Sequence, residues 1–154
     1  MNLLISLASA LIGGICTLIG GVFVYRKQED SQRKQNAAVL YNDLISIEKY
    51  LKSERGSVNI RFYSEWQHIV AKCTFLEPRE VELIYNIYDY VYNYNYHYKL
   101  LEKRGIVRKD DINEYGCLKE MIFNHPNNTN SNDEYTRTIE FEKLLEILQQ
   151  NQKK

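Results

Sequence analysis

Residues 78–105 read PREVELIYNIYDYVYNYNYHYKLLEKRG, and whether they form a helix or a strand decides the fold. Tyr88, Tyr90, Tyr92, Tyr94, Tyr96 and Tyr98 fall on every second residue, the period of a strand that shows its tyrosines on one face. A second pattern competes with it. Ile84, Ile87, Val91, Tyr94, Tyr98 and Leu101 recur at intervals of three and four, as on one face of a helix. Pro78 suits the first helical turn, where its missing N–H costs nothing, and Gly105 suits a helix end. The longer pattern and the boundary residues predict one helix over 78–104. Its outward positions include Tyr85, Tyr92 and Tyr96.

The flanking segments repeat the helical period. Ala37, Leu40, Leu44, Ile47 and Leu51 mark one face of a helix over 36–54, which stops before Gly56. Ser57 to Tyr63 reads as an extended connector. Ser64-Glu65-Trp66-Gln67 has the form of a capping box opening a short helix to about Cys73, with Trp66, Ile69 and Val70 inward. Lys109 to Phe123 predicts a further helix packing Ile112, Tyr115, Leu118 and Ile122. Asn124 to Asp133, rich in Asn, is expected to be a loop. Glu134 to Gln149 predicts a last helix with Phe141, Leu144, Leu145 and Leu148 on one face, and residues 150–154 are expected to fray. The fold class is therefore all-α. Residues 36–149 form an irregular bundle built on antiparallel packing of 36–54, 78–104 and 134–149.

Ahead of this domain the composition changes abruptly. Residues 1–25 hold no Lys, Arg, Asp, Glu or His, and all 20 basic and 20 acidic residues follow them. Leu3 to Tyr25 is an uncharged run of 23 residues, of which 12 are Leu, Ile, Val or Phe. As a helix it spans about 35 Å, enough for the ~30 Å of hydrocarbon in a bilayer. The expectation is a transmembrane anchor over 1–25 and a charged stalk over 26–35 that continues its helix. A cleaved signal peptide fits less well, since no basic region precedes the run and its end is bulky. Basic residues follow it closely, at Arg26, Lys27, Arg33 and Lys34. The positive-inside rule then places the N-terminus outside and the domain in the cytoplasm. The same four side chains are candidate contacts for lipid headgroups, diluted by Glu29 and Asp30. Ser9, Gly13, Thr17 and Gly21 recur every four residues, a spacing that lets membrane helices approach closely. They predict self-association into a homo-oligomer, or docking on another membrane helix.

Other chemistry finds little foothold. Cys16, Cys73 and Cys117 form no CxxC and read as free thiols, with a Cys73–Cys117 bridge left open by the sequence. His68, His97 and His125 have no metal-ligand spacing, and no phosphate loop, nucleophile elbow or triad order is present. No cofactor or metal is expected, and the chain reads as a non-enzyme. The neutral charge balance gives no drive toward nucleic acid. Exposed tyrosines suit a protein partner, because they bury large area at small entropic cost. In size and layout the chain resembles small prophage- or plasmid-encoded bacterial membrane proteins, including superinfection-exclusion and immunity proteins. The resemblance is one of architecture and rests on no particular residues. It implies a membrane-tethered interaction or regulatory protein at the inner membrane face; the alternative is a structural subunit of a membrane complex.

Overall fold

The computed structural model describes residues 2–52, 60–105, 112–124 and 136–153, with the side chains of the first helix described from Gly13 onward. The described residues form five helices and no strand: α1 Asn2–Lys52, α2 Trp66–Lys72, α3 Pro78–Glu102, α4 Asn113–Ile122 and α5 Ile139–Lys153. The period-two tyrosines thus lie on a helix. A step of two residues turns a helix by 200°, so the six tyrosines spread around its circumference and do not share one face. Tyr88 and Tyr94 are buried, while Tyr92 and Tyr96 face outward.

α1 is a single helix of 51 residues, about 77 Å long. The stalk continues the helix without a break, as its lack of Pro and Gly predicts. Ala37, Leu40, Leu44, Ile47 and Leu51 are all buried in the core. Ile84, Ile87 and Val91 of α3 join them, with Tyr115, Leu118 and Ile122 of α4 and Phe141, Leu144, Leu145 and Leu148 of α5. The helix faces read from periodicity are the faces that pack. Tyr98 and Leu101, near the end of α3, are only partly buried.

The helix directions depart from the antiparallel expectation. The Tyr88 hydroxyl donates to Asp43 Oδ2 at 3.0 Å. Six residues further along α3, the Tyr94 hydroxyl meets that of Tyr50 at 2.9 Å. Both helices advance together, so α3 runs parallel to α1. The chain from 53 to 77, which includes α2, is long enough to return it to the starting end. α5 does run back along α1. Arg137, just ahead of α5, donates from Nε and Nη2 to the two carboxylate oxygens of Glu48 at 2.8 and 2.9 Å. Glu48 lies four residues before the end of α1, so a helix that packs on α1 from there has only one direction to take.

Several boundaries also differ, α3 ending at Glu102 and α4 running Asn113–Ile122. α2 has Glu65, not Ser64, at its N-cap, with no side-chain cap. A Trp66 N–H to Tyr63 C=O turn takes the place of the expected box. α5 starts at Ile139, and residues 134–135 lie outside the described residues. Phe123 and Arg137 form an isolated antiparallel bridge. Thr138 then acts as the cap, its hydroxyl accepting from Phe141 N–H at 3.3 Å and donating to Met121 C=O at 2.8 Å. At its other end α5 is helical to Lys153, through most of the tail over 150–154. The loop expected over 124–133 lies outside the described residues except for Asn124.

Among the described residues two acids, Glu48 and Glu80, sit in the apolar interior. Glu48 is 3% exposed and receives Lys52 Nζ at 3.1 Å besides the Arg137 fork. Burial alone would raise its pKa, but hydrogen bonds from Arg137 and Lys52, with their charges, outweigh this and hold the carboxyl below its usual value. Glu80 accepts from the Glu77 N–H at 2.7 Å, closing a capping box behind Pro78, and pairs with Lys143 at 2.9 Å. It too is held down by these bonds against the opposing effect of burial.

Arg137→Ala is expected to cost about 2 kcal/mol in urea denaturation. That is less than the ~3–5 kcal/mol for opening a buried pair, because Arg137 is about one-third exposed. The lowered Glu48 pKa makes the pair's contribution complete above the unfolded carboxylate pKa. It is lost as pH falls through the lower folded value. Arg137→Ala should therefore flatten the acid limb of the stability curve; an unchanged limb would show that the pair is screened by solvent.

Candidate functional site

Two surfaces collect the residues singled out in the sequence. The first is the N-terminal part of α1. From Gly13 to Tyr25 every described side chain is exposed. Leu18 is 71% exposed, Phe23 69% and Ile19 65%, a row of large apolar groups with no protein cover. At 100° per residue, Ile15, Leu18, Ile19, Val22 and Phe23 gather on one side of the helix, and Gly13, Thr17 and Gly21 on the other. A Cβ added at Gly13, Gly14, Gly20 or Gly21 would meet open space. The Thr17 hydroxyl donates to the Gly13 carbonyl at 2.9 Å, so on the described part of the small face this polar side chain is satisfied within the helix. The Ser9 side chain lies outside the described set. Among the described residues no helix is long and apolar enough to cross a membrane.

Below this run Arg26 and Lys27 are exposed. Arg33 and Lys34 are half-buried, and Arg33 meets Asp30 at 3.7 Å, a loose pair. These four cations therefore occupy the segment between the apolar run and the core.

The second surface is the outward side of α3. Tyr92 and Tyr96 are 65% and 55% exposed, and Leu100, one turn further, is exposed as well. Tyr85 differs in kind. Its ring stands edge-on to Trp66 at 4.7 Å, and Trp66 stacks on Tyr88 at 4.4 Å, so Tyr85 abuts the outer side of a two-ring stack. Tyr92 and Tyr96 flank Tyr94, which meets Tyr50 of α1. They stand at a level 25 residues, or about 38 Å, along α1 from Tyr25. The inner tyrosines are held by their hydroxyls, and burial pushes the pKa values of Tyr88 and Tyr94 well up, with help from Asp43 and Tyr50 respectively.

The remaining polar groups are built into the fold. Asn95 imitates a backbone partner, its amide donating to the Ile60 carbonyl and its oxygen accepting the Ile60 N–H, both at 2.9 Å. His97 Nδ1 meets Glu114 Oε1 at 2.9 Å, joining α3 to α4 beside a cavity of about 360 Å³. The described lining of that cavity offers no Ser, Thr or Cys to act as nucleophile with this pair. Cys73 is buried, and burial pushes its thiol up to about 11, which leaves it unreactive. Cys73 and Cys117 are both free. Among the described residues no group of three or more His, Cys, Asp or Glu could hold a metal ion. No family model, curated protein or solved structure matches the chain.

Sequence reading missed the Glu48–Arg137 fork, although one signal was present. Glu48 lies on the apolar stripe between Leu44 and Leu51, where a carboxylate needs a partner. The exposed and buried tyrosines should separate in a thermal melt. Tyr92→Ala with Tyr96→Ala is expected to change stability by about 0.5 kcal/mol or less. Tyr94→Ala should cost about 3–5 kcal/mol through the cavity it leaves. A double variant that melts as low as Tyr94→Ala would assign the outer pair to the core.

Proposed function

We propose that this chain is a membrane-tethered interaction protein. In this reading α1 crosses the bilayer through Leu3 to Tyr25, and its other end carries the helical bundle at the inner membrane face. The observation that carries it is the exposure of the large side chains from Ile15 to Tyr25 on a helix whose far end is locked in the core. Covering six or seven such groups is worth on the order of 10 kcal/mol, and nothing else in the described chain covers them. The uncharged run extends in sequence back to Leu3, long enough to span hydrocarbon. Arg26, Lys27, Arg33 and Lys34 follow it and favour a cytoplasmic bundle.

The bundle binds a protein partner through Tyr92 and Tyr96, with Leu100 beside them. Their distance from Tyr25 supports this: about 38 Å along the helix is too far for the two rings to act as interfacial lipid anchors. The small face of Gly13, Thr17 and Gly21 serves contacts within the membrane, either with a second copy or with another membrane helix. Phage exclusion or immunity is a process in which such a tether would act.

The chain should stay with carbonate-washed membranes. A C-terminal alkaline phosphatase fusion should be inactive and a fluorescent fusion bright; the reverse pattern overturns the orientation. Gly13→Ile with Gly21→Ile should weaken association of the isolated anchor in a membrane two-hybrid assay, and an unchanged signal removes the packing face. Tyr92→Ala with Tyr96→Ala should lower crosslinking to partners by tenfold or more, since anchor residues of this kind contribute about 2 kcal/mol each. Equal recovery would dismiss the tyrosine surface.

A further inference from the structure

We infer that the end of α5 completes a site for the phosphate of an anionic lipid headgroup, at the membrane-facing base of the bundle. The inference rests on the anchor reading above. It begins with the direction of α5. Arg137 is fixed at Glu48, and α5 runs back along α1. Sixteen residues separate Arg137 from Lys153, and sixteen residues back from Glu48 is Gln32. The end of α5 therefore lies at the level of Arg33. Burial agrees with this, since Arg33 and Lys34 are half-buried, as are Asn151 and Gln152.

Two buried donors at that level lack an acceptor among the described residues: Arg33 Nε and Gln152 Nε2. Both are N–H groups, so what they call for is an oxygen acceptor. The charges around them specify its sign. Arg26, Lys27, Arg33, Lys34 and Lys153 face two acids, Glu29 and Asp30. Asp30 holds Arg33 only loosely, at 3.7 Å. Glu77 and Arg79, brought to the same end by the parallel α3, cancel each other. The balance is positive, and a phosphate oxygen is an anionic acceptor that matches both the donors and the charge.

The height is suitable. Arg33 stands about 12 Å along the axis from Tyr25. The headgroup layer is roughly 5–8 Å thick on each side of the hydrocarbon. Side chains on α1 lean toward its N-terminus, which is toward the bilayer, and the arginine stem closes the remaining gap. Lys153 brings a charge from 120 residues away in sequence to the stalk's own cluster. The consequence is that anionic lipid pins the bundle down on its base and shields the stalk.

The test uses the full-length chain in vesicles with the bundle outside, and reads tryptic cleavage between Arg26 and Lys34. Cleavage should be about fivefold slower or more in vesicles one-third phosphatidylglycerol than in phosphatidylcholine alone, as expected for surface cations at an anionic bilayer. Lys153→Glu leaves every stalk cleavage site in place, yet it should abolish most of that protection without changing helix content. Millimolar inorganic phosphate added to phosphatidylcholine vesicles should leave the rate unchanged. Equal wild-type rates in the two lipids overturn the site, and protection that survives Lys153→Glu overturns the part given to α5. Protection by free phosphate overturns the lipid as its source. If carbonate strips the chain from both kinds of vesicle, the anchor itself fails and the headgroup site falls with it. If the chain stays inserted and the rates match, the headgroup site alone is lost.

Discussion

Burial of one stripe on α1, from Ala37 to Leu51, is the constraint on which the other helices depend. α5 runs back along it, and α3 reaches it through Val91, Tyr94 and the Tyr88–Asp43 hydrogen bond. Because α1 also extends far beyond the bundle, the core holds one end of a rod and leaves the other free. The carboxylates Glu48 and Glu80 enter this core with cationic partners. Glu48 enters only because Arg137 forks onto both of its oxygens and Lys52 adds a third contact. An unpaired carboxylate there would cost several kcal/mol.

The tyrosines show how one residue type is divided by geometry. Tyr94 lies against Tyr50, Tyr98 and Tyr115, and its hydroxyl is satisfied by Tyr50. Tyr88 lies under Trp66 and donates a hydrogen bond to Asp43. Each inner ring has a polar tip and a partner for it. Tyr92 and Tyr96 differ from them only in their phase around the helix, and both present most of their surface to solvent.

Much of this was legible in the sequence, and what was not has a physical reason. Local periodicity located the helix faces, since the side chains at three and four residues' spacing have to be covered together. It resolved the conflict over residues 78–104 because the three-and-four pattern outlasts the alternating one. Direction was out of reach, because nothing local tells a helix whether its neighbour is parallel; the Asp43–Tyr88 and Tyr50–Tyr94 pairs do. The start of α5 depended on Thr138, which bonds to Met121 across the chain as well as capping its own helix. The extent of α5 depended on α1 lying beside it. Of the two candidate surfaces, the small-residue row and the outward tyrosines were both visible as spacings. The level shared by Arg33 and the end of α5 was not, since it is set only when α5 folds back along α1.

The unbroken course of α1 fixes more than height. Thr17, in the middle of the small face, and Leu44, in the middle of the buried stripe, are 27 residues apart. At 100° each these make seven and a half turns, so the two face opposite directions. Were two copies to press together through Gly13, Thr17 and Gly21, each would carry its bundle on the far side of its own rod. Neither bundle would obstruct the other, and the pair would stand back to back.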